Sequence, residues 1–512
     1  MQTLRTPLDA ARWLRQRVTG DLRTDSRLVR SGDAFIAWPG AATDGRLYLK
    51  SALQQGAAAC LLAEEGAQPW QALSDADQAE HKLARLACMA DLKAQTGWVA
   101  DAYYEHPSEE LSVLAVTGTN GKTSTAWWLA QALSSPVLNS PCGLVGTLGV
   151  GVLPHLSATG MTTPDPVLLQ RQFRELADAG VKHCAIEASS IGLAEHRLDG
   201  TRIRVAVFTN FTQDHLDYHG SMTAYWAAKE ALFGWPGLQQ AVVNVDDPQG
   251  ARLAERLQAR GMDVWSCSRQ GAARLQARPI DSAEGIAFQV LEGERMASSH
   301  TGLMGDYNID NLLGVIGGLR ALGVSLEDAV QSCTHLTAVP GRMQRVGGLK
   351  ADAPMVVVDY AHTPDAIEKA LAALRSLATQ RGGRLWCLLG CGGDRDSGKR
   401  PLMAAAAEAH ADAVVLTSDN PRTESPQAIL ADMVKGLQQA AQVTVEADRA
   451  AAIQTLVDRV DAQDVVLVAG KGHETYQEIQ GVRHAFSDVE QVQTALQRRA
   501  ARLSQVSQGV QA

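Results

Sequence analysis

Residues 113–124 read Val-Leu-Ala-Val-Thr-Gly-Thr-Asn-Gly-Lys-Thr-Ser and point most directly to the fold. The first four form an apolar run typical of a buried strand, and a glycine loop leads from them into an Ala- and Leu-rich segment typical of a helix. Similar apolar runs alternate with helical segments at residues 183–186, 205–209, 241–245, 355–358, 385–389, 413–417 and 465–469. The alternation predicts an α/β fold with largely parallel sheets, in which ligands bind at the carboxyl ends of the strands.

The loop in this stretch has the residue types of a nucleotide phosphate site. Gly118 and Gly121 let backbone N–H groups approach phosphate oxygens. Lys122 supplies a positive charge, and Thr123 offers a hydroxyl to Mg²⁺. The loop departs from the usual P-loop spacing, whose first glycine would fall at Val116. The alternative is a glycine-rich turn with an incidental lysine, but strand, loop and helix together favour an ATP or GTP site.

Composition bounds the class of protein. The chain has 512 residues and a formal net charge of −9, with 47 Lys and Arg against 56 Asp and Glu. At roughly 100–200 residues per domain, this length suggests about three domains. The mild acidity argues against a nucleic-acid-binding protein, because neutralising phosphates requires a basic face.

Cysteine usage and the N-terminus predict a cytoplasmic protein with no membrane partner. The eight cysteines are scattered, which is typical of reduced thiols. The first 18 residues alternate Arg with apolar residues like an amphipathic helix and lack the continuous apolar core of a signal peptide. The segment 123–164 has no Asp, Glu, Lys or Arg, but polar residues and prolines interrupt it too often for a membrane span.

Two polar links that contain proline, at residues 106–113 and 334–343, divide the chain. We therefore expect an N-terminal domain over residues 1–107, a central domain over 108–337 and a C-terminal domain over 338–500. The tail at 501–512 is expected to fray.

Two residues of the central part, Glu187 and His215, could hold a metal ion. Glu187 follows a predicted strand and is a hard oxygen ligand suited to Mg²⁺, although a strand-end Glu is more often a cap or a surface residue. His215 could be a ligand or a phosphate contact; with His219 it could also indicate zinc, but the nucleotide loop favours magnesium. Lys229 lies on an apolar helical segment and, taken alone, is typical of an exposed helical lysine.

Further candidates lie in loops beyond residue 300. Asn308 begins a helical segment whose amides could read a base or a ribose, and Asp359 and His362 lie in a later loop. Arg342 is the most suggestive, because a loop cation from a second domain can offset charge on a transferring phosphoryl group. Capping and turn chemistry is the alternative for each.

Charges of both signs follow three strands of the last third of the chain. Arg395, Asp419, Arg422 and Glu474 all lie in loops at predicted strand ends, two of them rich in glycine. Together they predict a pocket for a zwitterion; the alternative is a set of solvated turns.

The motifs, taken together, resemble those of the Mur ligases, the ATP-dependent amino-acid-adding enzymes of peptidoglycan precursor synthesis. They occur in one order from about Thr24 to Asp488: TGTNGKTS, EASS, TNFTQDHLDYHG, YWAAKEALF, GDYNIDN, VPGRM, VDYAHTPDA, GGDRD, DNPR and GKGHE. The resemblance implies a three-domain α/β architecture: an N-terminal domain for the UDP end of the substrate, a central P-loop-type ATPase domain and a Rossmann-like C-terminal domain for the amino acid.

Within the family, the chain is most similar to members that add meso-diaminopimelate to UDP-N-acetylmuramoyl-L-alanyl-D-glutamate. The resemblance implies an acid–amino-acid ligase whose partners are these two substrates and ATP, with Mg²⁺ as cofactor, and we expect a monomer. ATP would phosphorylate the γ-carboxylate of the D-glutamyl residue, and the incoming amine would attack the acyl phosphate. A carboxylate needs this step, since it is a poor acyl donor at neutral pH until one oxygen becomes a phosphate leaving group.

The resemblance also implies site residues, which we give by role. The ATP site comprises Gly118, Thr119, Asn120, Gly121, Lys122, Thr123, Ser124, Asn308, Arg342, Asp359 and His362. The metal ligands are Thr123, Glu187, His215 and Lys229, the last carbamylated to N6-carboxylysine. The catalytic residues are Lys122, His215, Lys229 and Arg342. The UDP-muramoyl-dipeptide site comprises Ser26, Arg27, Thr162, Thr163, Ser189 and Arg197. The diaminopimelate site comprises Arg395, Asp419, Asn420, Pro421, Arg422, Gly470 and Glu474.

A physical argument favours diaminopimelate over lysine. Diaminopimelate carries a distal carboxylate that Arg422 can grip bidentately, with Asp419 and Glu474 available for ammonium groups. Lysine would leave that arginine unpaired, which costs several kcal/mol when buried.

Two departures and several rivals remain. Ile191 and Ala41 stand where the family pattern leads us to expect histidines, which affects contacts to the muramoyl peptide and to the UDP side. The rivals are a lysine-adding, D-alanyl-D-alanine-adding or folylpolyglutamate-type ligase and a nucleotide-gated binding protein that does not ligate.

Overall fold

Three sheets, each covered by helices, make up the computed structural model, which describes residues 1–40, 43–73, 75, 85–282, 285–347 and 353–510. All eight strands expected from the sequence are present, so the predicted α/β class is confirmed. The predicted domain boundaries at residues 107 and 337 lie between sheets, and we keep them as a proposal.

The first sheet is parallel throughout, with strand order β1-β5-β4-β3-β2. Its strands are β1 Gln2–Leu4, β2 Leu22–Arg23, β3 Ala34–Ala37, β4 Ala59–Ala63 and β5 Leu86–Met89. The helices of this part are Pro7–Arg15, Leu49–Gln54 and Leu92–Tyr103. The first of them is the amphipathic N-terminal helix that the sequence predicts.

The central sheet has eleven strands, in the order β16-β15-β14-β13-β12-β11-β6-β10-β7-β8-β9. The strands are β6 Ser112–Thr117, β7 Cys142–Gly146, β8 Gly149–Val152, β9 His155–Ser157, β10 His183–Glu187, β11 Ile203–Phe208, β12 Gln240–Asn244, β13 Asp263–Ser268, β14 Leu275–Ile280, β15 Ile286–Glu292 and β16 Arg295–Thr301. In this spatial order, the neighbouring strands β14, β13, β12, β11, β6, β10 and β7 are parallel. An antiparallel pair of strands extends each edge, β15 and β16 at one end and β8 and β9 at the other. The helices are Lys122–Leu133, Pro166–Asp178, Ser190–Ala194, Leu216–His219, Met222–Glu230, Pro248–Ala259, Asn308–Ala321 and Leu326–Ser332.

The third sheet has six strands in the order β17-β18-β22-β19-β20-β21, all parallel except β17. The strands are β17 Gln344–Arg345, β18 Met355–Asp359, β19 Leu385–Cys391, β20 Ala413–Ser418, β21 Thr444–Val445 and β22 Val465–Ala469, and a hairpin follows, β23 Tyr476–Ile479 with β24 Val482–Ala485. The helices are Pro364–Arg381, Lys399–His410, Pro426–Val434, Arg449–Arg459 and Asp488–Val510.

Local sequence explains where several helices begin. A capping side chain accepts backbone N–H bonds of the first turn, and proline follows at the first helical position, where its missing N–H costs nothing. The pairs are Thr6-Pro7, Asp165-Pro166, Asp247-Pro248 and Thr363-Pro364.

Strand β6 is buried on both faces and carries the phosphate loop at its end. Leu114 and Val116 lie in one apolar cluster, and Val113 and Ala115 lie in another. Strands β10 and β11 flank β6 on either side. The loops that follow these three strands therefore meet at one edge of the sheet.

Residues 501–510 continue the helix Asp488–Val510, and the expectation that this tail frays stays a prediction. The segment before Gly509 has no glycine or proline and is rich in strong helix formers. Arg499 also donates from Nη1 to the carbonyl oxygens of Val457 at 2.6 Å and Val460 at 2.5 Å, which ties the helix to its neighbour.

The N-terminal and central parts meet through a glycine contact. A Cβ added to Gly97, on the helix Leu92–Tyr103, would lie 2.0 Å from the backbone oxygen of Asp199. One added to Gly200 would lie 2.6 Å from the oxygen of Gly97. An ion pair between Arg171 and Asp21, at 3.3 Å, lies across the same junction.

Within the described ranges, no helix combines the length and the apolar character that crossing a membrane requires.

Candidate active site

A cavity of about 480 Å³ lies at the carboxyl edge of the central sheet, with residues of the third sheet's loops completing its wall. Of the predicted site residues, its lining includes Thr119, Asn120, Gly121, Lys122, Thr123, Ser124, Thr162, Glu187, Ser189, Arg197, His215, Asn308, Arg342, Asp359, His362 and Arg395. The structure thus brings together in one space residues that are far apart in the sequence.

The phosphate loop is held in shape by its neighbours. Gly118 and Gly121 have φ of 147° and 86°, and a Cβ on Gly118 would lie 1.9 Å from the hydroxyl of Thr209. The backbone N–H of Asn120 donates to Asn210 Oδ1 at 2.9 Å, and the Thr209 hydroxyl donates to the Asn120 carbonyl at 2.6 Å. Both glycines are therefore required by the backbone, and the loop presents its N–H groups at the start of the helix Lys122–Leu133.

The side chain of Lys122 folds back over the phosphate loop. Its Nζ donates to the carbonyl oxygens of Gly118 at 2.9 Å and Thr119 at 2.8 Å. Burial lowers the pKa of Lys122, and the nearby charge of Glu187 acts in the opposite direction.

Glu187 and Thr123 form a buried oxygen pair beside the loop. The Thr123 hydroxyl donates to Glu187 Oε2 at 2.9 Å, and the backbone N–H of Thr147 donates to Oε1 at 2.7 Å. Glu187 is 1% exposed, so it is neither a surface residue nor a helix cap. A buried carboxylate next to a hydroxyl is the oxygen donor set that suits Mg²⁺ bound with a nucleotide.

His215 lies at the cavity wall with φ of 53°. Burial lowers its pKa to about 4, although the carboxylate of Asp214 acts in the opposite direction. The ring is therefore neutral near pH 7, which is the form that can bind a metal. His219, its partner in the zinc alternative, is engaged elsewhere, with Nε2 3.0 Å from the hydroxyl oxygen of Ser190. Within the described ranges no three His, Cys, Asp or Glu side chains are grouped as a metal site.

Lys229 is buried beneath the loop, so the alternative of an exposed helical lysine is wrong. Its side chain is 1% exposed, and Nζ donates to the Gly118 carbonyl at 2.7 Å. The same Nζ lies 4.4 Å from the ring centre of Tyr225. Burial, with the charge of Lys122 adding to it, holds the pKa of Lys229 well below its ordinary value.

The third sheet's loops contact the phosphate loop directly. Arg342 Nη2 donates to the Thr123 hydroxyl oxygen at 3.2 Å, and Asn120 Nδ2 donates to Asp365 Oδ2 at 3.1 Å. The guanidinium of Arg342 also stacks on Tyr360, 4.4 Å from the ring centre. Asp359 stays beneath this loop, where it accepts the Met343 N–H at 2.6 Å.

Sequence reasoning missed Asp214 and Lys399. Asp214 is 5% exposed and lies 3.5 Å from His215, 3.6 Å from His362 and 3.5 Å from Lys399. Burial alone would raise its pKa, but the hydrogen bond from His362 and the charges around it lower the pKa well below its ordinary range. Asp214 stands in the motif TNFTQDHLDYHG and could have been noticed there, whereas Lys399 follows GGDRD in a stretch without a motif signal.

The predicted diaminopimelate residues form a second group next to the cavity, and among them Arg395 alone lines it. Asp419 and Asn420 follow β20, and Gly470 and Glu474 follow β22. Lys471, which sequence reasoning also missed although it lies in GKGHE, is buried in their midst. Arg422 and Pro421 complete this group, and Arg422 Nη1 donates to the Gly393 carbonyl at 2.6 Å.

Two backbone contacts join this group to Arg342. A Cβ on Gly341 would lie 2.0 Å from the backbone nitrogen of His473, and one on Gly472 would lie 2.6 Å from the Gly341 oxygen. Tyr360, on which Arg342 stacks, also faces His473, with ring centres 5.1 Å apart.

The residues expected to bind the UDP-muramoyl-dipeptide lie in two places, at the cavity and in the N-terminal part. Thr162 and Arg197 line the cavity, as does Ile191 at the position of an expected histidine. Thr163 is buried behind them and donates to the Glu187 carbonyl at 2.7 Å. Ser26 and Arg27 lie apart in the N-terminal part, where Arg27 pairs with Asp25 at 2.6 Å. Ala41 lies outside the described residues.

Comparison with protein families identifies two domains in the chain. The Mur ligase middle domain matches residues 116–319, and the Mur ligase, glutamate ligase domain matches residues 341–472.

Relatives with a named activity match nearly the whole chain. A protein from Acidovorax sp. (strain JS42), named UDP-N-acetylmuramoyl-L-alanyl-D-glutamate–2,6-diaminopimelate ligase, is 58% identical over 506 residues, which is 98% of this chain and 99% of its own. A protein of the same name from Pseudomonas aeruginosa is 48% identical over 93% of this chain and 94% of its own.

Solved structures match as well. One of a ligase of the same name has a TM-score of 0.62 at 35% identity, covering 94% of this chain and 95% of its own. A MurF ligase from Thermotoga maritima in complex with ADP has a TM-score of 0.63 over 96% of this chain and 99% of its own, at 16% identity, and this likeness shows the fold alone.

Proposed function

The chain belongs to the Mur ligase family, and we propose that it uses ATP to join meso-diaminopimelate to UDP-N-acetylmuramoyl-L-alanyl-D-glutamate. The observation that carries the proposal is the meeting of Thr123, Glu187 and Arg342 in one cavity between two domains. A phosphate loop, a buried carboxylate and a cation from the second domain are the parts that phosphoryl transfer requires.

The first step forms the acyl phosphate. The loop N–H groups and Lys122 hold the ATP phosphates, and Arg342 stabilises the charge that develops on the transferring phosphoryl group. Thr123 and Glu187 would hold Mg²⁺, which supplies charge neutralisation on the phosphate oxygens when bound. The γ-carboxylate of the D-glutamyl residue attacks the γ-phosphorus, and ADP leaves.

The second step forms the amide. The amine of diaminopimelate attacks the acyl carbon, the tetrahedral intermediate collapses, and phosphate leaves. Because the groups expected to hold diaminopimelate lie next to the loop of Arg342, the nucleophile and this cation approach the acyl phosphate from the same domain.

Lys229 supports this chemistry as a carbamate. Burial lowers the pKa of this amine and so favours its neutral form, and a neutral amine can attack CO₂. The Nζ–C bond forms, one proton is released, and the neutral amine becomes an anion. That anion, with His215, would hold a second Mg²⁺ close to the phosphate loop.

The remaining binding roles follow the domains. Ser26 and Arg27 serve the UDP end, and Thr162 and Arg197 serve the muramoyl peptide. We further propose a cytoplasmic monomer; the scattered, buried cysteines support a reducing compartment.

Phosphate release under defined substrates tests the ligase function. We expect release to require ATP, the UDP-dipeptide and diaminopimelate together, with formation of the UDP-tripeptide. Release with ATP alone, or without the amino acid, would overturn the ligase reading in favour of a nucleotide-gated protein. Equal turnover with D-alanyl-D-alanine or lysine would instead point to another member of the family.

A further inference from the structure

Lys471 is a fully buried cation in the amino-acid group of the third sheet. It follows β22, and its side chain is 0% exposed. Its Nζ donates to Asn420 Oδ1 at 3.0 Å and to Glu474 Oε2 at 2.9 Å, and it lies 3.6 Å from Asp419 Oδ1. One ammonium thus contacts three residues expected to bind diaminopimelate.

These bonds determine how Asn420 is oriented. Its Oδ1 accepts from Lys471 and from the backbone N–H of Glu478 at 2.9 Å, while its Nδ2 donates to Glu474 Oε2 at 2.7 Å. A reversed amide would turn its NH₂ group, a donor, towards Lys471 Nζ and the Glu478 N–H, which are donors too. The network therefore sets the orientation of the amide. Glu474 Oε2 receives two donors, and Oε1 receives none from the described residues.

Charge gives Lys471 a second effect. Asp419 and Glu474 contribute two carboxylates, so without the lysine the group would carry two negative charges close together. With the ammonium in place, the three side chains of Asp419, Glu474 and Lys471 together carry a single net negative charge. A group that carries one net negative charge matches one ammonium of a substrate, with Arg422 and Arg395 left for carboxylates.

We infer that Lys471 is a positioning residue that places an ammonium group in the amino-acid site, orienting Asn420 and Glu474 and limiting the site to one ammonium group of the substrate. The inference rests on the proposed function, because it takes Asp419, Asn420 and Glu474 to be the diaminopimelate contacts. It also refines the sequence expectation that both carboxylates are free for substrate ammonium groups.

The variant Lys471→Met removes the charge and keeps an unbranched side chain that is one atom shorter. Loss of hydrogen bonds to charged groups is expected to raise KM for diaminopimelate about 10-fold to 100-fold, with KM for ATP changed less than about 3-fold. The matched control is Arg375→Met, which breaks an ion pair with Asp412 at the opposite end of β20 and should leave both constants unchanged. An unchanged KM for diaminopimelate in Lys471→Met would overturn the inference.

A rescue experiment separates positioning from a purely structural role. Lys471→Ala leaves room for a small cation, so ethylammonium should lower KM for diaminopimelate towards the unmutated value, while ethanol should not. Equal rescue by both, or a parallel rise in KM for all three substrates, would show that only packing was lost. If the Met and Ala variants fail to fold, Lys471→Gln, which keeps one donor without charge, must still show the selective rise in KM.

The unmutated enzyme is the reference that separates failure of the proposed function from failure of this inference. If it shows no diaminopimelate-dependent phosphate release, the proposed function fails and this inference fails with it. If it shows normal release while the variants keep its KM for diaminopimelate, the inference alone fails.

Discussion

Lys229 illustrates how the setting of one residue determines its chemistry. Its amine lies against a carbonyl and an aromatic ring with 1% of the side chain exposed, and burial lowers its pKa. A buried ammonium would be costly there, whereas a neutral amine can be converted to a carbamate that carries the opposite charge.

Replacing Lys229 by alanine should abolish ligation, because it removes both the amine and any carbamate made from it. Formate or bicarbonate should partly restore the rate by providing a carboxylate in the vacated space. Steady-state phosphate release with and without formate measures this. Lys435→Ala, at an exposed lysine, is the control and should stay active. Full activity of Lys229→Ala in carbonate-free buffer would show that the carbamate is dispensable.

Arg422 should decide between diaminopimelate and lysine. Its φ of 51° and its hydrogen bond to the Gly393 carbonyl hold the guanidinium against the loop that carries Arg395. Arg422→Ala should lower kcat/KM for diaminopimelate by about 100-fold or more, since a charged bidentate pair is lost, and should change lysine far less. Competition between the two amino acids measures the ratio; equal use of both by the unmutated enzyme would refute the assignment.

At the scale of elements, a buried ion pair ties the ends of two strands to the last helix. Arg449 donates from Nε at 2.7 Å and from Nη2 at 2.7 Å to Asp488, which begins the helix Asp488–Val510. Its Nη groups also donate to the carbonyl oxygens of Ser418 and Ala469, the last residues of β20 and β22. The loops that carry Asp419 and Gly470 start from these two residues.

Breaking this pair should destabilise the third sheet strongly. Arg449→Met leaves Asp488 as an uncompensated buried charge, which is expected to cost about 3–5 kcal/mol of unfolding free energy. The double variant Arg449→Met/Asp488→Leu should recover much of that loss, because no charge is then left buried. Urea unfolding of both variants measures the difference; a double variant no more stable than the single one would contradict this account.

Much of the fold could be predicted because parallel strands buried on both faces are continuous apolar runs. All eight such runs are strands, and the phosphate loop follows the first of them. The five strands of the first sheet, the parallel strands β7 and β13, and the strands β8, β9 and β14–β16 towards the edges of the central sheet were missed, since most are short or carry polar residues such as Arg278 and Ser298 among the apolar ones. These segments are strands because they pair with neighbouring strands, and such pairing depends on the tertiary fold.

The candidate site could be predicted less completely. Motif residues such as Thr123, Glu187 and Arg342 do meet in one cavity. Lys471 and Asp214 were missed although both stand in motifs, because their burial and their partners Asp419, His362 and Lys399 come from segments that are distant in sequence. Lys229 shows the reverse case, in which local sequence indicated solvent and the tertiary fold buried the side chain.

At the scale of the whole molecule, the two junctions between sheets differ in kind. The N-terminal junction includes backbone packed on backbone, at Gly97 and Gly200, besides the ion pair of Arg171 with Asp21. The junction that lines the cavity includes polar bonds, such as Arg342 to Thr123 and Asn120 to Asp365. Close packing resists displacement, while polar bonds can be exchanged for bonds to a substrate.

Gly97→Ala should therefore loosen the N-terminal junction. A methyl group 2.0 Å from the Asp199 oxygen forces the helix Leu92–Tyr103 away, with an expected loss of about 1–3 kcal/mol in stability. Thermal unfolding and limited proteolysis near residues 104–111 measure it. Gly234→Ala, where a Cβ would meet nothing within 4 Å, is the matched control. An unchanged melting temperature in Gly97→Ala would mean that the junction adapts.

The packing of Gly341 on Gly472 has a consequence for timing. The loop that carries the arginine and the loop beside the amino-acid group touch through backbone atoms, with no side chain between them to absorb a shift. Any displacement of the C-terminal domain therefore moves Arg342 and the groups expected to hold diaminopimelate together as one unit. An acyl phosphate is then met by both at the same moment, which shortens the interval in which water could intercept it.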